Sequence, residues 1–282
     1  MTTDMLVSIE WLATHGDDPQ VRVVDVRWYL TEPGRGRKDY EEAHIPGAAY
    51  MDVNGDLAAK PGEGPGRHPL PTAAAFAASA GRAAIGSDTH VVAYDASGGA
   101  YAARLWWLLR HFGHEQVSLL DGGWMEWLAR GYPLENSLPA ITPAVFTPHP
   151  RAGWVVDAAS VEALRHSAGA LILDARAAER YEGRVEPVDP RAGHIPGARS
   201  APFAANVRED GSFKSLDELR ERFAALGADA ANPVVCYCGS GVTAAHNIFA
   251  MTLAGLPEPL LYEGSWSDWS SDPERPAATG EE

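Results

Sequence analysis

Short apolar runs punctuate the chain: Val23-Val24-Asp25-Val26, Val91-Val92-Ala93-Tyr94, Leu171-Ile172-Leu173 and Val234-Val235-Cys236-Tyr237. Runs of this length, rich in β-branched residues, predict strands buried on both faces. Stretches of helical composition lie between them. Ser8 caps one that opens with Ile9-Glu10-Trp11-Leu12, and Ala102 to His111 forms another. A third begins at Thr243 and is closed by Gly255, with Pro257 just beyond. Alternating strands and helices predict an α/β fold, with parallel sheets covered by helices on both faces.

The order of elements occurs twice. Asp25-Val26-Arg27 returns as Asp174-Ala175-Arg176, 149 residues later, and His44-Ile45-Pro46-Gly47-Ala48 returns at His194, 150 later. The strand and loop from Val92 to Gly98 return at Val235 to Gly241, 143 later, and the Trp124/Trp127 segment at Trp266/Trp269, 142 later. The falling offset puts extra residues in the first half, in the Gly/Pro-rich loop that opens at Lys60. Two tandem domains are expected: 1–135, a Pro-dotted linker over 136–152, and 153–282. The four tryptophans, spaced by one helical turn, are expected in the cores. The polar residues after Trp269 are expected to fray.

Composition narrows the function. A chain of 282 residues with a formal net charge of −15 argues against a nucleic-acid or anionic-membrane surface. It does not argue against a local cationic pocket. The two cysteines, Cys236 and Cys238, stand too close for an ordinary disulfide and are too few for a zinc site, so no metal and no cofactor is expected. Such a pair fits a reducing compartment. With no basic, apolar leader and no membrane-length apolar run, the expected location is the cytoplasm.

The candidate chemistry lies where the two halves differ. Cys238 opens the loop Gly239-Ser240-Gly241-Val242-Thr243 between a strand and a helix. Loop amides and a helix N-terminus there can direct partial positive charge at the sulfur and favour its thiolate. Cys238 is thus the candidate nucleophile. The first half has Asp95 at the matching position and cannot do thiol chemistry. The site is expected at the C-terminal strand edge of the second half, with the first half supplying one wall. Cys236 reads as buried filler, or alternatively as a redox partner of Cys238.

These landmarks together resemble the rhodanese family, and specifically its tandem-domain sulfurtransferases, over nearly the whole chain. The resemblance implies an inactive first domain, a catalytic second domain, and a persulfide on Cys238 that carries sulfur from a small donor to a thiol such as thioredoxin, or to cyanide. The uncharged loop after Cys238 is similar to that of the members that use 3-mercaptopyruvate; thiosulfate is the alternative donor. The family pattern implies that Arg180 grips the donor carboxylate. It has a second arginine about nine residues on, where this chain has Asp189, and leaves Arg191, Arg184 or neither as a substitute. Ser240 and His68 match two members of a proton-handling set. Its acidic third member falls on Asn54, with Asp52 and Asp56 nearby. Because Asp25, Arg27, Asp174 and Arg176 occur in both halves, they are expected to be structural.

Three other readings are weaker. Gly239-Ser240-Gly241-Val242-Thr243-Ala244 fits a dinucleotide fingerprint and Glu263 follows at a suitable distance, which would make an oxidoreductase. Too little chain follows Glu263 to complete such a domain, and the first half lacks the fingerprint. Phosphatase chemistry needs an arginine where this loop has Ala244. A pure binding module of this kind would lack the cysteine.

Overall fold

A computed structural model describes residues 4–32, 34–229 and 231–281. It contains two units. The first takes residues up to Ala59, Pro71–Arg151 and Arg208–Phe213; the second takes Lys60–Leu70, Ala152–Val207 and the chain from Lys214 on.

The first unit holds β1 (Leu6–Val7), β2 (Val21–Asp25), β3 (Ala49–Tyr50), β4 (His90–Tyr94) and β5 (Val117–Leu120), in the order β1-β5-β4-β2-β3 and all parallel. The second holds β6 (Val155–Val156), β7 (Leu171–Asp174), β8 (Arg199–Ser200), β9 (Val234–Tyr237) and β10 (Leu260–Tyr262), in the same relative order and again parallel. Helices α1 (Ile9–His15), α2 (Arg35–Glu42), α3 (Ala73–Arg82), α4 (Ala102–His111) and α5 (Gly123–Ala129) belong to the first unit. Helices α6 (Ala158–Leu164), α7 (Ala178–Tyr181), α8 (Leu216–Ala225), α9 (Ala244–Leu253) and α10 (Ser265–Trp269) belong to the second. The chain therefore has the α/β architecture that its patterning predicts.

Repeated sequence becomes repeated packing. Ser8 caps α1 by accepting from the Trp11 amide, and Asp157 caps α6 through the Ser160 amide. The Asp25–Arg27 and Asp174–Arg176 pairs are buried ion pairs that close the ends of β2 and β7. Each arginine also donates to a main-chain carbonyl, Ala43 in one unit and Gly193 in the other. His44 and His194 stack on Tyr40 and Tyr181 and bond to their carbonyls. The four charged side chains tolerate burial because each meets its opposite. Trp124, Trp127, Trp266 and Trp269 lie in the two cores.

Two expectations about connecting chain need revising. Residues 136–152 do not hang free as a linker. Ala144, His149 and Arg151 donate to the carbonyls of Gly81, Phe112 and His111, and Phe146 is buried against Phe76. Nor does the tail beyond Trp269 fray: Ala278 pairs with His194, and the Trp269 ring N–H donates to the Pro276 carbonyl. Both segments satisfy their backbone on the unit they follow, which a polar, proline-bearing sequence does not announce.

Candidate active site

β9 is buried along its length and delivers Cys238 one residue past its C-terminal end. Three bonds fix the backbone there. The Cys238 amide donates to Ser265 Oγ at 3.1 Å, its carbonyl accepts from the Trp266 amide at 2.9 Å, and the Gly239 carbonyl accepts from the Ser267 amide at 2.9 Å. Gly241 has φ +78°, and a Cβ on it would lie 2.5 Å from the Glu263 carbonyl oxygen, so only glycine lets the loop approach that segment. The carbonyls of Val242 and Thr243 accept from the amides of Ala245 and His246, which starts α9.

Cys238 is 2% exposed and the Ser240 amide points at its sulfur from 3.5 Å. The Ser240 hydroxyl lies 2.7 Å from Nδ1 of His68, and both side chains are buried. His68 comes from Lys60–Leu70, the loop of the first repeat that clusters with the second unit. That loop is seated by the Arg67 amide, which donates to Ser267 Oγ, and by Gly66, where a Cβ would meet the Gly264 carbonyl oxygen at 2.4 Å.

Arg180, from α7, reaches the loop as expected. A Cβ on Gly239 would stand 3.4 Å from Arg180 Nη1 and 3.0 Å from Arg67 Nη2. The second guanidinium beside the cysteine is therefore Arg67, which sequence reasoning missed. Its signal was faint: it precedes His68, and Asp189 left a cation missing. Asp189 carries the two arginines on its two oxygens, bonding Arg67 Nη1 with one and Arg180 Nη2, at 3.1 Å, with the other. Glu186 accepts from Arg180 Nη2 at 2.7 Å and from Arg176 Nη1 at 3.3 Å. Burial lowers the Arg67 pKa, and the charge of Cys238 is the largest influence opposing that fall.

The other candidates fall elsewhere. Arg191 spends its guanidinium on the carbonyls of Trp269, Ser270, Asp272 and Arg275, fastening the tail. Arg184 is exposed and paired with Glu182. Asn54, Asp52 and Asp56 belong to the first unit. There Asp52 accepts from the amides of Asn54 and Gly55, and Asp56 pairs with Arg82. Cys236 is fully buried, and burial pushes its thiol well above the usual range, as suits filler. Among the described residues no group of His, Cys, Asp and Glu is arranged to hold a metal ion. No helix among them is long and apolar enough to cross a membrane.

The site thus presents a thiol at the C-terminal edge of a parallel sheet, held by main-chain bonds and flanked by guanidinium groups. The chain belongs to the rhodanese-like domain family, whose profile matches residues 8–130 and 157–272. It is 45% identical, over all of both chains, to a protein of Pseudomonas aeruginosa named as a probable 3-mercaptopyruvate sulfurtransferase. It is 37% identical to a thiosulfate sulfurtransferase of Rattus norvegicus, with 94% of this chain and 91% of the relative covered. A crystal structure of a 3-mercaptopyruvate sulfotransferase from Escherichia coli superposes with a TM-score of 0.83 and 35% identity, covering 94% of this chain and all of the other.

Proposed function

We propose that this sulfurtransferase takes sulfur from 3-mercaptopyruvate onto Cys238 as a persulfide and passes it, in the cytoplasm, to a thiol such as that of thioredoxin or to cyanide. The observation that carries this reading is the placement of the Cys238 sulfur, with the Ser240 amide at 3.5 Å and two guanidinium groups over the adjoining Gly239. The donor has two parts to recognise, a carboxylate and a sulfur, and these groups suit both.

The Cys238 thiolate attacks the donor sulfur. The new S–S bond forms as the donor's C–S bond breaks, and the electron pair goes to carbon as the enolate of pyruvate. The hydrogen carried in on the donor sulfur is balanced by a proton delivered to that carbon, so pyruvate leaves and Cys238 keeps a persulfide anion. No outside oxidant is needed. Ser240, hydrogen-bonded to His68 at 2.7 Å, is suited to hand over the proton; a positioned acid of this kind is worth about 10²–10⁴ in rate. Fixed N–H donors of the loop meet the charge on the outer sulfur. In the second half-reaction the acceptor thiolate attacks that outer sulfur and Cys238 departs as thiolate.

Mass spectrometry after treatment with 3-mercaptopyruvate should find one added sulfur on Cys238. Its absence would refute the mechanism. Arg180→Ala should raise the donor KM by about 10–100-fold, the worth of a lost charged hydrogen bond. Thiosulfate is the second reading, supported by the rat relative's name; it prevails if thiosulfate gives the higher kcat/KM.

A further inference from the structure

We propose that Arg67 is the second guanidinium of the donor site, and that Asp189 is the positioning residue that aims Arg67 and Arg180 and holds the site to a singly charged donor. The inference rests on the sulfurtransferase reading and deepens it. The Asp189 side chain is 2% exposed and binds one arginine with each carboxylate oxygen. This spends Nη1 of Arg67 and Nη2 of Arg180. The remaining terminal nitrogens, Arg67 Nη2 and Arg180 Nη1, face Gly239, and neither donates to another described residue. Two guanidinium edges presented next to the nucleophile form a carboxylate fork made from a loop and a helix.

Asp189 also sets the charge. Arg67, Arg176 and Arg180 face Asp174, Glu186 and Asp189, so the network is formally neutral before a donor enters. Glu186 cannot be the adjustable member. It accepts from both Arg176 and Arg180 and also from the amides of Val188 and Asp189, whereas Asp189, among the described residues, accepts only from the two site arginines. A monocarboxylate can share the two free N–H edges. A dianion such as thiosulfate meets a site with no net positive charge beside a thiolate, and like charges at short range in a partly buried place are costly.

The test compares wild type, Arg67→Gln, Arg67→Lys and Asp189→Asn with three donors: 3-mercaptopyruvate, thiosulfate and inorganic polysulfide, which lacks a carboxylate. Arg67→Gln should raise the KM for 3-mercaptopyruvate about 10-fold or more while kcat and persulfide loading from polysulfide persist. Arg67→Lys should recover part of that KM. Asp189→Asn should shift the kcat/KM ratio toward thiosulfate by about 5-fold or more. An unchanged 3-mercaptopyruvate KM in Arg67→Gln, or an unchanged donor ratio in Asp189→Asn, would overturn the proposal. So would equal losses with all three donors, the mark of a merely structural ion pair. If Arg67→Gln does not fold, Arg67→Lys and Asp189→Asn decide. Failure of the underlying reading looks different: wild type then loads from polysulfide alone and from neither organic nor thiosulfate donor.

Discussion

Two loops of one backbone plan end β4 and β9, and they have opposite contents. In both, the glycine three residues past the strand-end side chain has positive φ, +65° at Gly98 and +78° at Gly241. In both, the tryptophan amide of the following segment, Trp124 or Trp266, donates at 2.9 Å to the carbonyl of the strand-end residue. In the first loop that residue is Asp95. Its carboxylate accepts from the amides of Ser97, Gly99, Tyr101 and Ala102 at 2.6–3.0 Å. Burial raises its pKa, and the four amides oppose the rise. In the second loop the residue is Cys238, whose shorter side chain is met by the Ser240 amide alone among the described residues. The comparison teaches what such a loop can hold. Its amides can hold an anionic group one bond beyond the thiol, and in the first unit a carboxylate permanently occupies that place. By the repeat offset, Ser240, Val242 and Ala244 carry the amides matching Ser97, Gly99 and Tyr101, and an outer sulfur on Cys238 is what would reach them.

The largest effect that can break this comparison is on the nucleophile itself. Cys238→Ser should lower sulfur transfer by about 10⁴-fold or more, with the thermal midpoint little changed. Retained turnover would sink it. Asp95→Cys should not create a second site, since Arg67, Arg180 and the Ser240–His68 pair all belong to the second unit; single-site loading in intact-mass measurements checks this. Next come the proton-handling residues. Ser240→Ala and His68→Asn should each reduce kcat with 3-mercaptopyruvate by about 10²-fold. Loading from polysulfide, which releases no carbanion, should be nearly unaffected. Equal loss with both donors would make the pair structural. Third, Asp95→Ala strands four amides, those of Gly99 and Ala102 buried and those of Ser97 and Tyr101 part-buried, and should destabilise the first unit by about 3 kcal/mol, or about 6–12 °C in calorimetry, leaving turnover per folded molecule unchanged.

The fold, and the place of Cys238 at the end of a buried strand, were readable in the sequence because both follow from local rules. Buried parallel strands leave continuous apolar runs, and the repeat displayed each landmark twice. The Asp95/Cys238 mismatch marked where the two halves differ without any structure. What escaped notice depended on contacts distant in sequence. Arg67 meets Asp189 across 122 residues, and no periodicity records that pairing. Arg191 sits in the segment where a substrate arginine was sought, yet the tail carbonyls claim it. The 136–152 segment and the tail look like spacers by composition because much of their fastening is to their backbone groups, which are blind to side-chain type.

The smallest effect offers the finest comparison. Ser265 has φ +52°, where the first repeat has Gly123 at +53°. Left-handed backbone disfavours a serine by about 1–2 kcal/mol. What the serine supplies in return is an acceptor: its Oγ takes the Cys238 amide at 3.1 Å and donates to the Tyr262 carbonyl at 2.9 Å. Gly123 has no such part, and a Cβ there would lie 2.6 Å from the Asp95 carbonyl oxygen. Ser265→Gly should therefore relieve the backbone while leaving the Cys238 amide unmet, a net change within about 1 kcal/mol. Ser265→Ala keeps the strain and loses the acceptor, and should cost about 2 kcal/mol. Alanine being worse than glycine is the signature, read by chemical denaturation, with turnover falling about 3-fold in each as the cysteine loosens. If alanine matched wild type, the hydroxyl would have no part in holding the nucleophile, and the two loops would differ only in their strand-end side chain.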